Sequence, residues 1–195
     1  MRIAILSDIH DNLWNLAAAL ESIRARDCEA LICCGDLCSP FVVDRLRTFP
    51  GQVHIVFGNN DADLYRITRK CDSRVQAHGE IAELELGGRK IGVNHFDGIA
   101  RSMAHSGLYD VVCYGHNHRF AVSQINGTLA INPGPIMGAA GFSADGWEDV
   151  PGTFVVYDTV ASGRDAVAAY RVMSEGASVE RVVSYVFEIT ESWPA

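Results

Sequence analysis

A chain of 195 residues, 48% of them hydrophobic, is long enough to bury a full core and short enough that one domain spanning residues 1–195 is expected. Its net charge of −8 excludes broad binding along a nucleic-acid backbone, although a local cationic site could still hold one phosphate group. The opening MRIAILSD offers only six apolar or near-apolar residues before a charge, too few for a signal-peptide core or a membrane span, so a soluble, cytoplasmic protein without membrane contact is expected.

Arg2 to Leu6 reads as a buried strand, and Leu13, Leu16, Leu20 and Ile23 then recur at helical spacing. Ala30 to Cys34 is a second apolar run, Phe41 to Leu46 a helix after Pro40, and Val53 to Phe57 a third strand. This alternation favours a parallel sheet. From Ile81 to Asn94 the pattern changes, because two strand-like runs flank Gly87-Gly88, a pair suited to a hairpin turn. A helix over Gly98 to Ser106 precedes a strand at Val111, and Asn126-Gly127 marks a second hairpin between Phe120 to Ile125 and Thr128 to Ile131. Gly138 to Gly152, glycine-rich and polar, reads as a surface loop. Strand-like runs return at Phe154 to Tyr157 and Val167 to Val172, while Val179 to Phe187 fits helix or strand. Parallel pairing early and antiparallel pairing late favour an α/β fold with two packed sheets and helices outside.

The six cysteines, Cys28, Cys33, Cys34, Cys38, Cys71 and Cys113, include no CxxC pair and lie partly in apolar runs, which fits buried thiols better than disulfides or a zinc knuckle. The polar residues are more telling. Ser7-Asp8-Ile9-His10 follows the first strand, Gly35-Asp36 the second, Gly58-Asn59-Asn60-Asp61 the third, Asn94-His95 the hairpin, and Gly115-His116-Asn117-His118 the strand at Val111. Any one of these groups could be a turn or a cap. Together they put carboxylate, imidazole and carboxamide groups at five successive strand ends, and in α/β sheets those ends converge on one edge.

Asp8, His10, Asp36, Asn59, His95, His116 and His118 supply nitrogen and oxygen donors but no thiolate. Seven donors exceed what one tetrahedral ion uses, and with one carboxylate bridging they give four contacts to each of two ions. Two divalent cations bring +4, two carboxylates remove two charges and a bridging hydroxide one more, so the site stays cationic. Two ions about 3.5 to 4 Å apart suit holding a phosphate and activating water for in-line attack. Ligands of this kind favour Mn²⁺, Fe, Ni²⁺ or Zn²⁺ over Mg²⁺ or Ca²⁺ alone, with Mn²⁺ the first expectation.

The same series of motifs resembles the calcineurin-like metallophosphoesterases, and its spacing is similar to their small single-domain bacterial and archaeal phosphodiesterases. The resemblance runs from residue 1 to about residue 134, where Asn132-Pro133-Gly134 matches a further turn of that branch. It implies a four-layer α/β/β/α sandwich with two mixed sheets. It also implies that Asp8, His10 and His118 bind one ion, that Asn59, His95 and His116 bind the other, and that Asp36 bridges them. Catalytic roles then fall on Asp36, Asn59 and the position of Asn60. The implied reaction is hydrolysis of a small or activated phosphodiester, with a small-molecule partner and homo-oligomerisation left open.

Departures from the family pattern matter. Many relatives carry a histidine after the metal-binding asparagine, where it can protonate the leaving group; this chain has Asn60, whose carboxamide does not titrate near neutrality. Ser39 stands where some relatives have aspartate, and Phe96-Asp97 where many have Gly-His, which should reshape the pocket entrance. Arg119 is placed to meet a phosphate or simply solvent, and Asn12 and Asp61 to support ligand histidines or cap helices. His54, His78 and His105 match no ligand motif and read as structural or solvated. Two other readings use the same fold: a catalytically weak metal-binding scaffold for protein interaction, and a phosphomonoesterase or nucleotide pyrophosphatase. Retention of all seven donors favours the enzyme over the scaffold.

Overall fold

A computed structural model describes residues 1–143, 146–173, 178–182 and 187–190. In chain order, β1 (Arg2–Leu6), α1 (Leu13–Arg24), β2 (Ala30–Cys33), α2 (Pro40–Leu46), β3 (Gln52–Ile55), α3 (Leu64–Arg69) and β4 (Val75–Ala77) alternate, and the four strands pair in parallel. Asn12 caps α1 by accepting a hydrogen bond from the Asn15 N–H, and Pro40 occupies the first turn of α2, where its missing N–H costs nothing. Neither α3 nor β4 was expected from the sequence. α3 has six residues with only Ile67 buried, and β4 has three, so neither shows an apolar period.

The second sheet begins with the expected hairpin of β5 (Ile81–Leu86) and β6 (Arg89–Asn94), followed by α4 (Asp97–His105), β7 (Val111–Cys113), β8 (Ala121–Ile125) and β9 (Thr128–Asn132). β7 lies parallel to both β6 and β9, while β8 and β9 form the second hairpin. The segment expected to be a plain loop instead contains a two-stranded hairpin of β10 (Ala139–Ser143) and β11 (Gly146–Asp149). Its glycines and small residues hide the period-2 signal.

The chain then returns to the first sheet. β12 (Gly152–Asp158) runs antiparallel to β1, β13 (Val167–Met173) to β12, and β14 (Ser178–Arg181) to β13, which completes the order β14-β13-β12-β1-β2-β3-β4. β15 (Phe187–Thr190) joins β8 in parallel, giving β15-β8-β9-β7-β6-β5. The run from Val179 to Phe187 thus contributes strand residues at both ends, and its residues 183–186 lie outside the described residues. The result is an α/β fold with two mixed sheets and one small third sheet.

Strand alternation sorts the core. Ala4, Leu6, Leu31, Cys33, Val53 and Ile55 pack with Leu16, Leu20 and Ile23 of α1 and Val42, Val43 and Leu46 of α2. The alternate residues Ile3, Ile5, Ala30, Ile32 and Val155 share a cluster with Ile91, Val93, Val111, Cys113 and Ile131 of the second sheet. On that sheet's other face, Val112, Ile125 and Ala130 meet Ala100 and Ala104 of α4. Strands buried on both faces require continuous apolar runs, which is why β1 and β2 read so clearly. Each fully buried aliphatic side chain contributes about 1.5–3 kcal/mol. All six cysteines are free thiols, four of them buried.

Candidate metal centre

The loops after β1, β2, β3, β6 and β7 meet at one edge, tied by backbone hydrogen bonds that cross between them. The Asp8 N–H donates to the Gly35 carbonyl at 3.1 Å, the His10 N–H to the Asp36 carbonyl at 3.0 Å, and the Gly115 N–H to the His95 carbonyl at 3.0 Å. The His116 N–H points at the Asp8 carboxylate, 3.3 and 3.2 Å from its two oxygens. Asp8, His10, Asp36, His116 and His118 all have positive φ, between 43° and 72°. Non-glycine residues rarely adopt this conformation, and its clustering here means that the loops are held against their local preference to aim these side chains inward.

Two sets of side chains bring their donor atoms within 4.8 Å of one another: Asp8, His10 and His118, and Asp8, Asp36 and His95. Asp8, Asp36 and His95 are buried, and His10 and His118 half-buried. Asp36 Oδ2 lies 3.4 Å from His10 Nε2 and 3.4 Å from His95 Nε2, while Asp8 Oδ1 lies 3.3 Å from His118 Nε2 and 4.0 Å from His10 Nε2. His10 Nε2 and His118 Nε2 are 3.2 Å apart. The exposed His116 ring packs edge-on to His95 with centroids 5.1 Å apart, and Phe96 closes the same corner at 5.2 Å from His95 and 5.0 Å from His116. Asn59 is exposed on the loop after β3.

The protonation pattern fits metal binding. His95 Nδ1 sits 2.8 Å from the Cys34 carbonyl, which accepts but cannot donate, so Nδ1 carries the proton and the buried Nε2 keeps its lone pair without a hydrogen-bond partner. That lone pair faces the Asp36 carboxylate, an arrangement a shared cation or proton relieves. Burial opposes charge on Asp36, yet the His95 ring beside it and the hydrogen bonds from the Asn60 side chain and backbone outweigh it and hold the carboxyl well below its ordinary range. Burial likewise disfavours the His95 imidazolium, but Asp36 prevails and raises its pKa. The hydrogen bond to Asp8 raises that of His118, and burial lowers that of His10. At His95 and His118 the carboxylates thus favour a positive partner, while at His10 burial prevails.

Glycine makes the close approaches possible. A Cβ on Gly115 would stand 1.9 Å from Ser7 Oγ and 2.6 Å from Asp8 Oδ2, and one on Gly58 2.2 Å from Asp36 Oδ1. Gly115→Ala is expected to destabilise the protein by about 1–3 kcal/mol, the usual cost of overpacking, read as a lower urea midpoint. An unchanged midpoint would mean that the histidine loop can retreat from Ser7.

Several residues around these ligands brace the loops. Asp61 Oδ2 accepts from the Gly58 N–H at 2.7 Å and the Asp36 N–H at 3.1 Å, and its Oδ1 from the Cys38 N–H at 2.8 Å, so it staples the loops of β2 and β3 instead of holding a histidine. Asn12 caps α1 and donates to the Met137 carbonyl at 3.0 Å. Ser39 donates through both N–H and hydroxyl to Asp11. Asn132 donates to the Gly115 carbonyl at 3.1 Å and to Asn117 Oδ1 at 2.9 Å, bracing the histidine loop from β9. Its place in Asn-Pro-Gly was the only sequence signal. His54 and His78 pair with each other at 3.0 Å, away from these ligands.

An edge of two mixed sheets carrying imidazoles and carboxylates around shared oxygens is a candidate metal centre. The sequence profile of the calcineurin-like phosphoesterase superfamily domain matches residues 1–162, and the chain belongs to that family. It is a metal-dependent phosphoesterase, a hydrolase. The chain is 31% identical over 142 residues to phosphodiesterase MJ0936 of Methanocaldococcus jannaschii, an alignment covering 71% of this chain and 86% of that protein. A solved structure of an archaeal phosphodiesterase superposes with a TM-score of 0.74 at 26% identity, covering 88% of this chain and 99% of the other. The zinc complex of Vps29 from Entamoeba histolytica shares the fold with a TM-score of 0.63 at 22% identity, over 93% of this chain and 98% of the other.

Proposed function

We propose that this protein is a binuclear phosphodiesterase acting on a small or activated phosphodiester. One ion is held by Asp8, His10 and His118, the other by Asn59, His95 and His116, and Asp36 is shared between them. The observation that carries the reading is Asp36 Oδ2 standing 3.4 Å from an imidazole nitrogen of each set, His10 and His95. When bound, two divalent transition-metal ions, Mn²⁺ first among them, supply the positive charge that holds the phosphate and lowers the pKa of the attacking water.

The chain's own residues do the rest. Asp8 and Asp36 remove two of the four positive charges, leaving a cationic site for an anionic ester. The Cys34 carbonyl fixes the His95 tautomer, so its Nε2 needs no reorganisation to coordinate. Asn60 donates from its backbone and from its carboxamide to Asp36, each at 2.8 Å, and holds that carboxylate between the two sets. It offers no titrating proton, so the departing oxygen leaves unprotonated or takes a proton from water. The chain works as one domain in the cytoplasm, without membrane or nucleic-acid partners; among the described residues no helix is long and apolar enough to cross a membrane.

The test is turnover of matched phosphodiesters and phosphomonoesters with Mn²⁺, Fe²⁺, Ni²⁺, Zn²⁺ and Mg²⁺. Diester hydrolysis dependent on a transition metal, with kcat/KM above that of the monoester bearing the same leaving group, is expected. Preference for the monoester would give the reaction to the phosphomonoesterase reading, and no turnover with any metal would favour a scaffold.

A further inference from the structure

Next to the metal centre lies a concavity of about 370 Å³, with His118 among its lining residues. Its sides come from Phe120 after the histidine loop, Pro135 before β10, and Val150 and Pro151 after β11. Arg119 and Glu148 stand at its exposed margin with opposite charges, so the margin carries no net charge toward a ligand. Thr153 lines it as well. It is more than nine-tenths buried, and its backbone N–H donates to the Pro135 carbonyl at 3.1 Å.

A phosphate and a methyl group would leave most of this volume empty. Two proline rings and a phenyl ring offer flat apolar contact, and the margin's balanced charge gives no added attraction to a further phosphate. We infer that this concavity is a subsite for a neutral, ring-bearing ester substituent of the substrate, of nucleoside or aryl type. A phosphate seated at the metals then extends its second ester arm past His118, between Phe120 and the hairpin of β10 and β11. This inference rests on the phosphodiesterase reading and gives its substrate a class.

The experiment uses three p-nitrophenyl phosphodiesters with the same leaving group and different retained arms: methyl, phenyl and thymidine-5′. With the Mn²⁺-loaded protein, KM for the phenyl and thymidine esters is expected to lie about tenfold or more below that for the methyl ester, from burial of one ring. Val150→Trp, which fills the concavity, should abolish that advantage while leaving kcat/KM for the methyl ester within about twofold. Equal KM for the three esters in the native protein, or equal losses for all three in Val150→Trp, would overturn the subsite. Failure to hydrolyse even the methyl ester would instead overturn the phosphodiesterase reading on which it stands.

Discussion

Asp36→Asn is expected to lower kcat/KM for a phosphodiester by about 10³-fold or more, equivalent to the several kcal/mol that metal-centred charge stabilisation supplies. It is also expected to take metal content from two ions per chain toward one. The reason lies in one atom: Oδ2 of Asp36 stands 3.4 Å from His10 Nε2 and from His95 Nε2, and receives the Asn60 carboxamide at 2.8 Å. Asparagine preserves the size of the side chain but removes the charge, so the two ions would repel each other with one less anion between them. Stoichiometry by elemental analysis and rate by steady-state kinetics should fall together. A variant that keeps two ions and most of its rate would show that the shared ligand is another residue, with Asp8, which belongs to both donor groups, the first candidate.

The second large effect concerns position 60. With no titrating group there, the rate should rise steeply as the pKa of the leaving group falls. Asn60→His introduces a proton donor and is expected to help poor leaving groups most, by up to about 10²- to 10⁴-fold, flattening that dependence. The structure adds a cost the sequence did not reveal, because the native carboxamide holds Asp36, and the histidine variant gives that bond up. Asn60→Ala separates the two effects. It should weaken metal binding by about 10- to 100-fold, as loss of a ligand's hydrogen-bond partner does, without changing the slope. Aryl and alkyl phosphodiesters assayed with all three proteins give the slopes. Equal slopes for native protein and Asn60→His would show that the position does not reach the departing oxygen.

Much of this was readable from the chain because burial on both faces writes strands as unbroken apolar runs. β1, β2, β7 and the two hairpins stand where their residues predict, and the polar groups that follow them converge at one edge, as α/β topology requires. The structure brings together Asp8, His10, Asp36, His95 and His118, with the His116 ring against His95. What was not readable depends on contacts between loops distant in sequence. Asp61 looks like a cap until Gly58, Asp36 and Cys38 are folded around its carboxylate, and Asn132 gains meaning only when β9 lies beside β7. The β10–β11 hairpin was hidden for a different reason: glycine and alanine carry little alternation.

The central claim is that these loops build one centre for two ions. Anomalous diffraction at the manganese edge from crystals grown with excess Mn²⁺ tests it most directly. Two peaks are expected, one among Asp8, His10 and His118, the other among Asn59, His95 and His116, with the Asp36 carboxylate touching both. A single peak, or a second one that Asp36 does not touch, would contradict the account.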